Sequence, residues 1–449
     1  MPDARYDELV QSDLAHWVHP QYHQADHQSP LMVDHAEGVH IYDTHGKSYI
    51  DGLSGLWNAA VGHGRPELAE AAAKAIQKNT WTNNYVGFSN AAAVELAAKV
   101  VDLCYDNMQA VFYTNSGSEA NETNFKAARF YWSVQGKPEK NKIISRVEAY
   151  HGNTLGAMSA TGMSVYYPNF EPTVAQMIPA TTPNASPTGG GRIDSGNLNI
   201  DNVVAAIERE GADTVAAVIA EPVQGAGGVY PPPPDYFRQL RDVCDRYDVL
   251  FIADEVITGF GRTGKWFALE HFDVRPDMVS LAKAITSAYI PMGAAVWSQK
   301  VHDVIIGTDP SVKFMHAYTN SGHPVAAAVA LRNLQIFEDE NLVQNAAERG
   351  DQLLQGLQRL NENPHVGNVR GLGFMCGFDF LQDPETDTAF PAEAKMGAKF
   401  LGAVKSRGLI SRVRNDAFLL APPLVSTKEN VDEILTIVEE SVKEVTAGV

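Results

Sequence analysis

Residues 249–286 contain two short apolar segments, VLFIADEV at 249–256 and MVSLAKAIT at 278–286. Each segment is rich in aliphatic or aromatic residues and then gives way to polar ones, which predicts two buried strands of a parallel sheet. Asp254 and Lys283 stand where these strands end. Because ligands bind at the carboxyl ends of parallel strands, the two side chains are candidates for a single site.

An acid and an amine at two strand ends allow two interpretations. The first is a buried ion pair without chemistry. The second is a site for pyridoxal phosphate, in which a carboxylate keeps the pyridine nitrogen protonated and an amine forms a Schiff base. Asp254 and Lys283 alone favour the ion pair, so the choice depends on the rest of the chain.

The composition is that of a globular enzyme with two domains. The chain has 449 residues, of which 45% are hydrophobic and 20% charged, and a single core stops growing at roughly 250 to 300 residues. Lys and Arg number 35 against 54 Asp and Glu, which gives a net charge of -19. This charge opposes general affinity for nucleic acid or anionic membrane, so small molecules and proteins are the expected partners.

The cysteines and the N-terminus lead us to expect a soluble, cytoplasmic protein. Cys104, Cys244 and Cys376 are far apart and form no CxxC pair, so neither a disulfide framework nor a zinc site is expected. The first residues lack the layout of a signal peptide, and no apolar run is long enough to span a bilayer.

The polar segment 1–35 is rich in histidine. It contains His16, His19, His23, His27 and His35. Spacings of three and four residues could place metal ligands on one helical face. Pro20 and Pro30 interrupt such a helix, so we expect an arm that covers the body of the protein and no metal.

Strands and helices alternate after Cys104, which predicts a parallel sheet with helices on both faces. The predicted strands are Ala110 to Thr114, Lys142 to Ser145, Thr214 to Ala220, Val249 to Ala253, Met278 to Ala282 and Gly293 to Trp297. The predicted helices are 66–78, 91–103, 118–135, 200–210 and 235–247, with a long loop at 180–198.

The C-terminal part has a pattern typical of a smaller α+β domain. We predict one long helix at 324–360, a strand at 369–380, a helix at 391–407, a hairpin-like pair at 409–413 and 418–421, and a helix at 427–446. A hairpin at 39–51 is expected to join this domain. The predicted division is an N-terminal arm with part of the small domain (1–59), a large domain (60–325) and the C-terminal small domain (326–449).

A polar turn joins the strand at 110–114 to the next helix. Ser116, Gly117 and Ser118 supply hydroxyl groups, close backbone approach and the free N–H groups of a helix N-terminus, all of which suit a phosphate. The alternative is that Ser118 only caps the helix. Polar clusters also follow two other strands, at Tyr150 to Gly152 and at Glu221 to Gly228, where Tyr150 could cover a flat ring or belong to the core.

Two further glycine motifs are weak indications of nucleotide binding. Residues 259–265 approach a P-loop, but Trp266 replaces the Ser or Thr that would hold magnesium, so we predict a mobile loop. Gly371 and Gly373 lie in a strand-like stretch and lack the third glycine of a dinucleotide-binding motif.

Six separated motifs together are far more specific. They are Ser116 to Ala120, Tyr150 to Gly152, Glu221-Pro222, Asp254 to Val256 with Gly259 to Gly264, Lys283 within AKAITS, and Thr319 with Ser321 to Pro324. In order and spacing they resemble the class III pyridoxal-phosphate aminotransferases over essentially the whole chain. The likeness is greatest to the omega-aminotransferase branch, whose members use β-alanine, taurine or other amines with pyruvate.

The resemblance implies a fold class and a set of cofactor contacts. The fold is the α/β fold type I of pyridoxal-phosphate-dependent transferases, with a mostly parallel sheet flanked by helices in the large domain and a smaller α+β domain. Lys283 would form the Schiff base and move the proton, and Asp254 would keep the ring nitrogen protonated. Tyr150 and Val256 would face opposite sides of the ring.

The remaining implied contacts concern the phosphate and the subunit interface. Ser116, Gly117 and Ser118 would hold the phosphate, with His151 and Glu221 also beside the cofactor. Thr319 would reach the phosphate of the neighbouring subunit. A homodimer, or a dimer of dimers, with the active site at its interface is therefore implied.

The substrate contacts follow from the same resemblance. Arg412 looks like the arginine that binds a substrate carboxylate, for which the guanidinium fork is suited, and Arg414 is the competing candidate. Trp57, Tyr85 and also Phe88 are expected to line the pocket for the amine substituent.

Three alanines depart from the family pattern. Ala284, Ala288 and Ala317 stand where family members commonly have glycine. Their methyl groups could tighten the backbone around cofactor or substrate, which bears on substrate range and not on the class of reaction.

The expected function is pyridoxal-phosphate-dependent transfer of nitrogen from an amine or omega-amino acid to a 2-oxo acid, with pyruvate the expected acceptor, by a ping-pong mechanism. A decarboxylase or aminomutase of the same fold is the alternative. A regulator that binds the cofactor without turnover is opposed by the charge of -19 and by the lack of a DNA-binding module.

Overall fold

The structure is a computed structural model that describes residues 2–21, 23–180 and 199–449. The loop predicted at 180–198 therefore lies outside the described residues, apart from Ala180, which ends a strand. Within the described ranges no helix combines the length and the apolar character that crossing a membrane requires.

The helices predicted at 66–78, 91–103, 118–135, 200–210, 235–247 and 427–446 are confirmed to within one residue at each end. The described helices also include some that the sequence did not predict. In chain order the described helices are α1 (Pro2–His16), α2 (Ser54–Trp57), α3 (Pro66–Lys78), α4 (Ala91–Leu103), α5 (Gly117–Val134), α6 (Leu155–Ala160), α7 (Ile200–Glu210), α8 (Tyr236–Arg246), α9 (Gln299–Ile306), α10 (Pro324–Asp339), α11 (Leu342–Gln358), α12 (Met396–Ser406) and α13 (Lys428–Thr446).

The strands form three sheets. In chain order they are β1 (Val33–Glu37), β2 (His40–Asp43), β3 (Ser48–Asp51), β4 (Met108–Thr114), β5 (Lys142–Arg146), β6 (Met177–Ala180), β7 (Val215–Ala220), β8 (Leu250–Asp254), β9 (Met278–Leu281), β10 (Gly293–Ser298), β11 (Val366–Leu372), β12 (Met375–Asp383), β13 (Thr388–Ala389), β14 (Leu409–Ile410), β15 (Arg412–Arg414) and β16 (Ala417–Leu420).

The largest sheet has seven strands in the order β4-β10-β9-β8-β7-β5-β6. The run from β9 to β6 is parallel, as predicted. Strand β10 is antiparallel to both β4 and β9, which the sequence pattern did not predict. The cause is the short connection between β9 and β10, since a parallel return needs a longer crossover that usually holds a helix.

Both faces of this sheet are covered. Strands β7 and β8 are buried at every position, because α5 packs on one face through Phe125 and Trp132 and α8 packs on the other through Phe237 and Leu240. Burial of each such large apolar side chain stabilises the fold by about 1.5 to 3 kcal/mol. The carboxyl ends of β5, β7, β8 and β9 are thereby held at a single edge.

The hairpin at 39–51 is confirmed and joins the C-terminal part. Strands β2 and β3 are antiparallel, and β3 pairs in parallel with β14, so that Ile50 lies beside Leu409. The N–H of Gly52 continues this pairing by donating to the carbonyl oxygen of Ile410 at 2.8 Å.

Four details of the small domain differ from prediction. The helix expected at 324–360 breaks into α10 and α11 because Asn341 adopts φ 52°, and the helix expected from 391 begins only at Met396, after Lys395 with φ 49°. The single strand expected at 369–380 is the hairpin β11–β12, which turns at Gly373 with φ 55°. Residues 409–413 belong to two sheets, since β14 pairs with β3 and β15 with β16.

The segment at 259–265 is not the mobile loop that we predicted. Arg262 is 1% exposed, and its guanidinium donates to the carbonyl oxygen of Pro422 at 2.6 Å and to Oγ of Ser54 at 3.0 Å. Burial lowers the pKa of Arg262 to about 9. The segment therefore holds together parts of the chain that are far apart in sequence.

The N-terminal arm contains a histidine cluster. Within the described ranges, Asp13, His19 and His27 are close enough to share a metal ion. Each histidine Nε2 also lies within hydrogen-bond distance of its own Asp13 oxygen, at 2.6 Å for His19 and 3.0 Å for His27. Hydrogen bonds account for this arrangement, and the expectation of no metal stays a prediction.

Candidate active site

A cavity of about 220 Å³ lies at the edge where the parallel strands end. Most of the residues singled out from the sequence line it together. They are Trp57, Ser116, Gly117, Ser118, Tyr150, His151, Glu221, Asp254, Val256, Lys283 and Arg412.

Asp254 is the last residue of β8 and is 4% exposed. Its Oδ2 accepts hydrogen bonds from Nδ1 of His151 at 2.7 Å and from the side-chain amide of Asn121 at 2.8 Å. Its Oδ1 accepts from the N–H of Val256 at 3.1 Å. Three donors directed at one carboxylate hold both of its oxygens in place, so Asp254 presents a positioned carboxylate to the cavity.

Lys283 directly follows β9 and Ala282 and adopts φ 46°. A lysine in this left-handed region is strained by about 1 kcal/mol or more, and the surrounding turn holds it there. Burial lowers the pKa of Lys283 to about 8, and Arg412 contributes in the same direction, while Asp254 and Glu221 oppose the shift. A substantial fraction of the lysine is therefore neutral near physiological pH, as a nucleophilic amine must be.

The first turn of α5 forms another wall. Ser116 caps the helix by accepting from the N–H of Glu119 at 3.2 Å, so the alternative in which Ser118 is the cap is wrong. Oγ of Ser118 accepts from the N–H of Asn153 at 3.2 Å. The N–H groups of Gly117 and Ser118 have no acceptor within the helix and can bind an anion.

The side-chain carboxylate of Glu221 binds the backbone of Tyr150. The N–H of Tyr150 donates to Oε1 of Glu221 at 2.9 Å, and the N–H of Gly225 donates to Oε2 at 2.9 Å. The Tyr150 ring packs against Tyr166 with ring centres 5.6 Å apart. Burial raises the pKa of Tyr150 to about 12, so the phenol that lines the cavity stays neutral.

The two arginines of β15 have different surroundings. Arg412 lines the cavity that contains Lys283, and its guanidinium group has no hydrogen bond or ion pair with any described residue. Arg414 forms an ion pair with Glu148 and lines a separate cavity of about 490 Å³. Of the two candidates, only Arg412 lines the cavity that contains Lys283.

Three predicted residues lie elsewhere in the single chain. Tyr85, Phe88 and Thr319 line another cavity, of about 1130 Å³, which does not include Lys283. Tyr85 is 55% and Phe88 62% exposed. The isolated chain therefore does not bring them to the cofactor residues.

The alanine departures also lie in distinct surroundings. Ala284 is buried and its carbonyl oxygen accepts from Asn333 at 2.9 Å. Ala288 adopts φ 62°, a conformation that favours glycine, and Ala317 lines the 1130 Å³ cavity with Thr319. Ala288 is thus the departure that strains the backbone.

Sequence reasoning missed several residues of the cavity wall. Among them are Gln21, Leu56, Asn121 and Tyr166. Asn121 could have been found, because it lies one helical turn after Gly117 and thus on the same face of α5. Gln21 lies in a turn, Leu56 in the short helix α2 and Tyr166 in a single turn of 3-10 helix, and no sequence pattern indicates the direction of such short elements.

The residues fit pyridoxal phosphate. Lys283 offers the amine, Asp254 the carboxylate and α5 the anion site, while Gly117 lies against Val256 with no room for a side chain. A Cβ atom on Gly117 would lie 2.8 Å from Cγ1 of Val256. The buried Nε2 of His151 has no hydrogen-bond partner among the described residues, as is common beside a polar ligand site.

The comparisons with known proteins agree with this site. The sequence profile of the family described as Aminotransferase class-III matches residues 21–442. The chain is 37% identical over 426 residues to gamma aminobutyrate transaminase 1, mitochondrial, of Solanum lycopersicum, which covers 94% of this chain and 83% of that one.

Two solved structures are also similar over nearly their whole length. An (S)-enantioselective omega-transaminase from Thermomicrobium roseum has a TM-score of 0.92 at 42% identity, with 98% of this chain and 99% of that chain covered. The omega transaminase from Pseudomonas jessenii in complex with PMP has a TM-score of 0.92 at 35% identity, with the same coverage. The chain therefore belongs to the class III aminotransferases, which are pyridoxal-phosphate-dependent transaminases of fold type I.

Proposed function

We propose that this aminotransferase moves the amino group of an amine or omega-amino acid to a 2-oxo acid, with pyruvate as the favoured acceptor, in a ping-pong reaction. The observation that carries the proposal is that Lys283 and an unpaired Arg412 line one cavity. The amine chemistry and the recognition of a carboxylate can then take place at one site. The names of the relatives, a gamma-aminobutyrate transaminase and two omega-transaminases, support an amine distant from a carboxylate or without one.

The residues proposed to hold the cofactor would each contact a different part of it. Pyridoxal phosphate, when bound, withdraws electrons from the substrate carbon. Asp254 would hold the ring nitrogen protonated, because its carboxylate is positioned by His151, Asn121 and the N–H of Val256. Ser116, Gly117 and Ser118 would hold the phosphate at the N-terminus of α5, and Val256 and Tyr150 would hold the ring between them.

Lys283 would act as the base and acid of the reaction. Transamination requires a proton to leave the substrate carbon and to be returned at a second position, and the Lys283 amine would be the group that carries it. A pKa of about 8 suits an amine that both accepts and returns a proton near neutral pH. Arg412 would meanwhile orient the carboxylate of the acceptor.

A homodimer would complete the site. Exposed apolar side chains surround the 1130 Å³ cavity, notably Val86 at 102%, Phe88 at 62% and Met315 at 81%. Contiguous exposed apolar surface of this kind is typical of a protein interface. We propose that a second copy covers it, and that Thr319 and Tyr85 thereby reach the neighbouring subunit's cofactor and substrate pocket.

A charge placed in this surface is expected to separate the subunits. Val86→Glu should convert the dimer into monomers and remove most activity, because burial of an unpaired carboxylate is costly. Light scattering coupled to gel filtration would measure the mass. Val33→Glu, at a valine that is 50% exposed on β1, is the control and should leave the dimer intact. A fully active monomeric Val86→Glu enzyme would contradict the proposal.

The substrate is tested with a panel of amine donors and pyruvate. β-Alanine, 4-aminobutyrate, taurine, a diamine and benzylamine cover donors with a carboxylate, a sulfonate, a second amine or none of these. Alanine formation is expected with at least one donor. With a donor alone, conversion should stop after one equivalent per active site; continued release of carbon dioxide or of an isomerised amine would instead favour a decarboxylase or an aminomutase.

We also propose that the enzyme acts in the cytoplasm. Its cysteines, Cys104, Cys244 and Cys376, form no disulfide. Unpaired cysteines are typical of reducing compartments.

A further inference from the structure

Strand β15 carries two guanidinium groups on one face. Arg412 and Arg414 are two residues apart, and side chains at this spacing point to the same side of a strand. Arg412 lines the cavity of Lys283, whereas Arg414 pairs with Glu148. Glu148 lies two residues before Tyr150, on the loop that follows β5.

The loop that carries Glu148 is held firmly. The N–H of Glu148 donates to the carbonyl oxygen of Gly162 at 2.9 Å, and the side-chain amide of Gln224 donates to the carbonyl oxygen of Val147 at 2.9 Å. Glu148 itself adopts φ 58°. The ion pair therefore attaches β15 to a loop that is itself held in place beside the large sheet.

The ion pair is withdrawn from water. The Glu148 side chain is 6% and the Arg414 side chain 20% exposed. Burial raises the pKa of Glu148, while Arg414 opposes the shift. At such a site each charge depends on the other, because removal of either leaves a buried charge without a partner.

We propose that Glu148 is a positioning residue for substrate recognition: its ion pair with Arg414 fixes β15 so that Arg412 meets the substrate carboxylate beside Tyr150 and Lys283. This inference rests on the proposed function, since it assumes a substrate with a carboxylate. Neither Glu148 nor Arg414 lines the cavity of Lys283, so both act through Arg412.

The test uses two donors that differ only in the carboxylate. L-Alanine, the product expected from pyruvate, and isopropylamine differ by a methyl group in place of the carboxylate. The double variant E148Q/R414Q removes the ion pair without changing the net charge. We expect the L-alanine concentration for half-maximal conversion of the bound cofactor to rise about tenfold, because a small misplacement of an orienting group is costly. The isopropylamine concentration for half-maximal conversion should stay unchanged, as should the maximal rates with both donors.

A matched control is the ion pair of Lys142 with Glu210, at 3.0 Å, whose side chains are 23% and 20% exposed. This pair lies at the opposite end of β5. The double variant K142Q/E210Q should leave the concentration for half-maximal conversion unchanged for both donors. If E148Q/R414Q raises the half-maximal concentration equally for both donors, the ion pair has only a structural role and the proposal is overturned. The proposal is also overturned if neither concentration changes.

A milder variant covers the case in which the double variant does not fold. E148D keeps the charge but withdraws the carboxylate by one methylene, so a smaller rise restricted to L-alanine is expected. The proposed function is tested separately by the unmodified enzyme. If that enzyme converts neither donor, the proposed function fails; if it converts both and the variants keep the wild-type preference, only the inference about Glu148 fails.

Discussion

Lys283→Ala is expected to slow conversion of the bound cofactor by an amine donor about 10³-fold. Alanine has no amine to hold the cofactor covalently or to move the proton. The other ionisable groups of the cavity wall include Asp254 and Glu221, which are held by hydrogen bonds. The phosphate contacts at α5 are untouched, so the cofactor should still bind. Stopped-flow absorbance after mixing with the donor measures the rate.

Lys265→Ala is the control for this variant. Lys265 is an exposed lysine of the segment 259–265 and should be dispensable.

Borohydride should fix the cofactor to the peptide that contains Lys283, as mass spectrometry would show. The pKa of about 8 lies below the usual value for lysine, so the reactive neutral amine increases with pH. Attachment of cofactor to the empty enzyme should accelerate through about pH 8, and a label on another lysine would refute the assignment.

Asp254→Asn is expected to lower kcat by about 10² to 10³-fold. The amide is nearly the same size, but it carries no charge to keep a ring nitrogen protonated. Its NH2 group would also face donors, since His151 and Asn121 both direct N–H groups at this position. Single-turnover rates with saturating donor isolate this effect from binding.

Asp277→Asn provides a control for loss of a buried carboxylate. Asp277 accepts from the N–H of Phe251 at 2.8 Å and pairs with Arg241, and it lies before β9, away from the cavity. This variant should lower the melting temperature and leave kcat nearly unchanged. A wild-type kcat for Asp254→Asn would show that another group tunes the cofactor.

Much of the site was predictable because it depends on strand ends. Apolar runs predicted β8 and β9, and the parallel arrangement placed Asp254 and Lys283 at one edge. Gly117 was recognised as a point of close approach, and the structure places Val256 against it. Such positions follow from local pattern and sheet geometry alone.

Other parts of the site were not predictable for physical reasons. The choice between Arg412 and Arg414 depends on which of them meets Glu148, which follows a strand of another sheet and is remote in sequence. The orientation of β10 depends on the length of a connection and not on its hydrophobic pattern. Tyr85 and Thr319 line a cavity that does not include Lys283, and the dimer that we propose would bring them to the site only through a second copy, for which a single sequence contains only an indirect signal.

The parallel pairing of β3 with β14 has a consequence for biosynthesis. The hairpin that leads to Trp57 is completed by residues 409–410, so this edge of the hairpin remains open until most of the chain has left the ribosome. Open edges recruit strands from other chains, and partly folded large proteins are prone to such association. The edge of β3 is therefore exposed to association with other chains during translation, and chaperone protection of this hairpin would limit it.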